Sequence, residues 1–237
     1  MKLKSFGCSF IFGSDLADEG TGLGAPYEPS SQLTWPARLA LHYKYDFECH
    51  ARPGSGNLRI LQKILSQSAL DDDALFVIGW SWIDRFDYTI DQKSHEFDMA
   101  NSQQTWKTIL PGGSGTDDIY YYKNLHSQYK DKLSSLIYMK TAIDILNQKN
   151  IPFIMTFIDD LIFEKDPDSV IDELQGYIHR HMTKFEEQTF LEYCKKNNFP
   201  ISEKWHPLEQ AHQAAADYLI RFFDKQRISD PAQQARV

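Results

Sequence analysis

Leu3-Lys4-Ser5-Phe6-Gly7-Cys8-Ser9-Phe10-Ile11-Phe12-Gly13 reads as a buried strand, residues 3–8, delivered into a sharp turn. The run is short, apolar and aromatic, and the small residues Gly7 and Gly13 bracket the turn. Three further runs of the same kind stand at 45–51, 74–80 and 152–158, each leading into polar or glycine-containing turn material. Near-continuous apolar strands of this length are those of a parallel sheet covered on both faces. Helical spacing fills the gaps at 35–42, 57–68, 125–148 and 207–225, with Pro36 suited to a first helical turn. Strands alternating with helices predict a three-layer α/β/α fold. The sheet is expected to be parallel, doubly wound in flavodoxin-like order, and of about five strands, with sites at their carboxyl ends.

The 237 residues predict one domain over 1–228, because α/β cores of this size are routinely single. Residues 84–124 are too long for an ordinary connection and are expected to form an insertion or lid. Residues 168–196 read as one or two helices with His179, His181, Glu186 and Glu187 on a polar face, and 229–237 as a frayed tail. A net charge of −8 argues against nucleic acid or an anionic membrane as partner and favours a neutral or weakly polar substrate. Cys8, Cys49 and Cys194 are odd in number and widely spaced, which points to free thiols rather than a disulfide framework or a zinc site. Two lysines near the start are succeeded by no long apolar run, and no stretch approaches the ~20 apolar residues of a membrane span. The expected location is cytoplasmic.

Three segments could carry chemistry. Ser9 lies just past the first strand, where its hydroxyl and N–H can face a cleft; a serine there is also a common turn residue. After the second strand comes Ala51-Arg52-Pro53-Gly54-Ser55-Gly56-Asn57, which offers exposed N–H groups and a side-chain amide at a helix start. Those are the donors of an oxyanion hole, or merely a turn and a helix cap. Near the end stands Glu203-Lys204-Trp205-His206-Pro207, in which a carboxylate three residues before a histidine could orient its ring. Of the remaining candidates, Cys8 should pack inward by strand alternation, and His212 should pack or cap. Asp159 and Asp160 read as loop carboxylates near the site, and His179-Arg180-His181 lacks metal spacing.

The order of these segments resembles the SGNH (GDSL-type) hydrolase family. Gly7-Cys8-Ser9 stands where the family has Gly-Asp-Ser, Gly54 matches its second-block glycine, and Glu203-Lys204-Trp205-His206 stands where it has Asp-x-x-His. Its third block, Gly-x-Asn-Asp, is replaced by Gly79-Trp80-Ser81-Trp82. The resemblance implies Ser9 as nucleophile, His206 as base and Glu203 as the orienting acid, with Asp159 as the other acid within reach. It implies an oxyanion hole of Gly54 with Asn57 or Ser81, while Trp80 and Trp82 are candidate substrate platforms. The implied activity is hydrolysis of small-acyl carboxylic esters, O-acetylated carbohydrate included, with neither cofactor nor metal. A non-catalytic glycan- or protein-binding module, or an O-acyltransferase using the same residues, are the alternatives.

Overall fold

The computed structural model describes residues 1–19, 30–70, 73–90 and 106–229. Along the chain run β1 (Lys2–Gly7), α1 (Ser9–Phe12), α2 (Trp35–Tyr43), β2 (Asp46–Cys49), α3 (Asn57–Ser68) and β3 (Ala74–Trp80). A hairpin of β4 (Phe86–Thr89) and β5 (Trp106–Ile109) comes next, then α4 (Thr116–Asn124), α5 (Gln128–Gln148) and β6 (Phe153–Phe157). A 3-10 turn (Asp160–Phe163), α6 (Ser169–His179), α7 (Phe190–Lys196) and α8 (Glu209–Ser229) complete it.

Four strands form a parallel sheet in the order β2-β1-β3-β6 with helices on both faces, the expected doubly wound class. The fifth strand position is filled by one residue. Met182 makes a single parallel bridge to Met155, and the Thr183 N–H donates to the Met155 carbonyl at 2.7 Å. The chain then reverses between Phe185 and Gln188 through Glu186 and Glu187, both at positive φ (49° and 63°). Two successive left-handed residues make a tight turn, so the segment leaves the sheet edge as soon as it reaches it. Residues 168–196 are thus two helices around a turn, and Glu186 and Glu187 belong to the turn.

All seven residues of β3 are buried. Side chains alternate across a strand, so β3 feeds two cores. Leu75 and Val77 meet Leu3, Leu39, Ala211, Ala215 and Leu219 on the face covered by α2 and α8. Phe76, Ile78 and Trp80 meet Phe6, Ile60, Ile64, Leu136, Met139 and Ile143 on the face covered by α3 and α5. The helix expected at 125–148 is interrupted at its start, because the Ser127 hydroxyl accepts the Lys130 N–H and begins α5 separately from α4. Of the expected insertion, 91–105 lies outside the described residues, as does the tail from 230 onward. No described helix is long and apolar enough to cross a membrane.

The carboxyl ends of β1 and β3 carry glycines paired in register, Gly7 with Gly79. Ile11 of α1 sits on both. A Cβ at Gly7 would lie 2.5 Å from Ile11 Cγ1, and one at Gly79 would lie 2.6 Å from the same atom. Only hydrogen at these two positions lets a helix that starts two residues after β1 lie flat on the sheet edge. We expect Gly79→Ala to cost about 1–3 kcal/mol through overpacking. Urea denaturation should show that Gly79→Ala combined with Ile11→Ala costs less than the sum of the two single changes.

Candidate active site

Ser9 is the first residue of α1, entered from Cys8 in extended conformation. It is 4 % exposed. Cys8 packs into the core, as strand alternation requires. The Ser9 carbonyl accepts the Gly13 N–H at 2.8 Å and the Ser14 N–H at 3.1 Å, so the one-turn helix closes immediately. Its own N–H finds no acceptor among the described residues. Gly13 ends the turn at φ 88°, with Ser31 and Thr34 crowding the position a Cβ would take.

Two residues on, Asp15 sits at φ 67°, a conformation that aspartate tolerates better than most residues. Its Oδ2 lies 2.8 Å from His206 Nδ1 and accepts the Ser202 hydroxyl at 2.7 Å. Lys204 Nζ stands 3.6 Å from the other oxygen. Ser202 also accepts the His206 N–H and the Lys204 N–H on its hydroxyl, each at 3.2 Å. The Ala17 N–H donates to Glu209 at the start of α8, at 2.8 Å, giving the two segments a further tie. A carboxylate on Nδ1 fixes the proton there and leaves Nε2 as the lone-pair nitrogen. Asp15 is held below the ordinary aspartate range, chiefly by the Ser202 hydroxyl and then by the hydrogen bond and charge of His206, against the opposing effect of burial.

This pairing corrects the expectation for Glu203. The Trp205 N–H donates to the Ser202 carbonyl at 3.0 Å, which makes Glu203 and Lys204 the two central residues of a tight turn. Glu203 therefore stands exposed at its corner and makes no contact with the ring. Asp159 does not serve either, since its two oxygens accept the Ile83 N–H at 2.9 Å and the Leu161 N–H at 3.1 Å.

The second segment forms a turn from Arg52 to Ser55, closed by the Ser55 N–H on the Arg52 carbonyl at 3.2 Å. Gly54 is its third residue at φ 77°, with open space where a Cβ would stand. Pro53 before a left-handed glycine is the residue pair this turn demands. Nothing among the described residues accepts the Gly54 N–H.

Asn57 is not free to bind an oxyanion, contrary to expectation. Its Nδ2 donates to the Ser81 carbonyl at 3.2 Å and to Ser135 Oγ at 3.1 Å, while its Oδ1 accepts the Ser81 N–H at 2.8 Å. Both amide hydrogens are used to join α3, the end of β3 and α5. Ser81 Oγ, by contrast, is buried and has no partner among the described residues.

Trp80 is fully buried in the core beneath α3 and α5, which corrects its expected role as a substrate platform. Its place in the alternation of a doubly covered strand leaves it no path to the surface. Trp82 is half-buried at the site. Its ring meets Phe10 edge-on at 5.4 Å, Arg85 stacks over it at 4.7 Å, and Phe10 in turn meets His206 edge-on at 5.8 Å. His212 accepts the Trp35 N–H at 3.2 Å, and burial pushes its pKa down to about 3. It caps α2 as a neutral ring. The described residues contain no group of three or more side chains arranged to hold a metal ion.

The structure thus joins His206 to the Ser9 segment through Asp15, a residue that sequence reasoning passed over. A weak signal was present: an aspartate six positions after the serine, beyond a glycine-ended turn.

No protein-family model matches the chain, and no curated protein matches it. Among solved structures it is similar to a lipolytic protein of the G-D-S-L family from Veillonella parvula, at 14% identity and TM-score 0.45, covering 94% of this chain and 98% of that one. It is similar to a psychrotrophic esterase from Pseudoalteromonas sp. at 10% identity and TM-score 0.47, covering 95% and 97%. It is also similar to an acetyl xylan esterase from the rumen bacterium Butyrivibrio proteoclasticus at 10% identity and TM-score 0.49, covering 95% of this chain and 64% of that one.

This geometry can be probed through stability. Asn57→Ala strands the Ser81 N–H and removes two further hydrogen bonds, so it should cost about 1–3 kcal/mol in urea denaturation. The lowered pKa of Asp15 adds stability above the ordinary carboxylate range, and that stability is lost as pH falls through the lowered value. The stability gap between the wild type and Asp15→Asn should therefore be largest near neutrality and shrink below about pH 4, where the unfolded aspartate is already protonated.

Proposed function

We propose that this chain is a serine ester hydrolase of the SGNH type, with Ser9 as nucleophile and His206 as general base. The Asp15–His206 pair carries the reading: an imidazole with its Nδ1 proton fixed by a carboxylate, tied to the turn that presents the serine. In this reading Nε2 takes the Ser9 proton as Oγ attacks the ester carbonyl. Asp15, in place of Glu203, stabilises the imidazolium that forms. The N–H groups of Ser9 and Gly54 receive the oxyanion, and the Ser81 hydroxyl, without a partner among the described residues, is the third donor. His206 returns the proton to the departing alcohol, and water, activated in the same way, releases the acyl group.

With Asn57 committed to the fold, the oxyanion hole lacks a side-chain amide. The Ser81 hydroxyl takes the amide's place, and losing one such donor typically costs about 2.7–4 kcal/mol of transition-state stabilisation, which slows such chemistry without abolishing it. The half-buried Trp82, backed by the buried Phe10 beside His206, supports a small acyl group on one side of the carbonyl and a ring, such as a sugar, on the other. The expected substrates are small-acyl esters, O-acetylated carbohydrate among them.

Hydrolysis of p-nitrophenyl acetate tests this. Ser9→Ala and His206→Ala should abolish turnover while folding is retained. Asp15→Asn should lower kcat by roughly 10²–10⁴-fold, whereas Glu203→Gln, at an exposed turn corner, should stay within about twofold. Turnover that survives Ser9→Ala would overturn the proposal.

A further inference from the structure

The net charge of −8 hides a local reversal of sign beside the site. Arg52 leaves β2 at the sheet's carboxyl edge, and its N–H donates to the Gly7 carbonyl at 3.0 Å, two residues from Ser9. Arg59 lies in the first turn of α3, and Lys63 stands one turn later on the same helix face. That face looks away from the core positions Ile60 and Ile64. It also looks away from Trp106, which lies with Leu58, Gln62 and Leu65. Below Lys63 on this side, Lys4 Nζ reaches Gln67 at 3.3 Å. The cations therefore line the crease between α3 and the β1–β2 edge, starting at the turn that carries Gly54.

The carboxylates nearby are occupied. Asp87 accepts the Gly56 N–H at 3.0 Å, the Arg59 backbone N–H at 2.8 Å and the Thr108 hydroxyl at 2.6 Å. Glu48 faces Lys2 at 2.8 Å, His50 at 3.5 Å and Lys4 at 3.9 Å. Neither Arg59 nor Lys63 forms an ion pair among the described residues, and Arg59 Nε is shut off from solvent without a hydrogen-bond partner. Burial pulls both pKa values down; the Asp87 carboxylate opposes this at Arg59, while Arg52 adds to it at both and Arg59 adds to it at Lys63. Half-buried like charges that outnumber the carboxylates facing them oppose folding, and such arrangements concentrate where a ligand supplies the missing charge.

We propose that Arg59 and Lys63, with Arg52 at the active-site end, form a receptor for an anionic group, a carboxylate or phosphate, carried by the ester substrate. The inference rests on the ester-hydrolase reading and narrows its substrate class: the preferred esters bear a negative charge a few bonds from the scissile carbonyl. The crease concentrates field lines in an otherwise acidic protein and steers such a substrate toward Ser9.

The test compares kcat/KM for p-nitrophenyl acetate with that for p-nitrophenyl hemisuccinate, which adds one carboxylate. The wild type, Arg59→Gln/Lys63→Gln and a distant control, Lys165→Gln, would be measured at low and high salt. The wild type should prefer the anionic ester, and the preference should fall about tenfold or more in the double variant and with salt, but not in the control. Calorimetric titration with benzoate and with inorganic phosphate, on the wild type, Ser9→Ala and the double variant, reads the receptor independently of catalysis. Binding that survives Ser9→Ala and is lost in the double variant supports the receptor, even if no ester is turned over, which would overturn only the hydrolase reading. Whichever of the two anions binds identifies the group recognised. Equal use of both esters with neither anion bound would overturn the receptor while leaving the hydrolase reading in place.

Discussion

Ile11 resting on Gly7 and Gly79 is the contact from which the rest of the site is built. A helix can begin two residues after a parallel strand only if the sheet leaves room above its edge. Here the room comes from two glycines placed opposite one another by the β1–β3 register. Once α1 is seated, Ser9 is held at its start, Phe10 is turned toward Trp82 and His206, and Gly13 must reverse the chain. Asp15 then arrives where the C-terminal segment passes. The interior of β3 supports this from below, since a strand buried along its whole length on two faces gives the edge a rigid floor.

Much of this was legible in the sequence. The four apolar runs needed no partner information to be read as parallel strands, because burial on both faces erases the alternation that marks other strands. The positions of Ser9 and Gly54 are set by strand ends and turn residues, which are local signals. The features that escaped were choices made by tertiary contacts. Glu203 has the right spacing from His206, but the turn that includes it closes through the Ser202 carbonyl and sends its side chain outward. Asp15 is distant in sequence, and only the seating of α1 brings it to the ring. Asn57 has the right chemistry at the right helix start, yet its donors are consumed in clamping β3 to α5. Trp80 comes after a glycine at a strand end, as a site residue would, and its parity along the strand assigns it to the core.

The electrostatics divide along similar lines. Formal charge argues for a neutral ligand, and that inference averages over the whole surface. The fold separates what composition mixes, committing Asp87 to the backbone at the start of α3 and Glu48 to Lys2, Lys4 and His50. The cations beside them are left to set the local field. Net charge is a property of the chain, whereas a cleft's potential belongs to its counter-ion assignments.

The Asp15–His206 hydrogen bond joins positions 191 residues apart. It closes nearly the whole chain into one loop, an entropic cost that the sheet and both helical layers between the two positions offset. The segment around His206 is held by short turns, a single bridge between Ile201 and Pro207, and the start of α8. Such a segment can open at lower free energy than the strands beneath it. Opening of the segment around His206 would break the Asp15–His206 pair while the sheet beneath remains folded. On the proposed reading, a partly made or partly unfolded chain presents Ser9 without the base that would activate it.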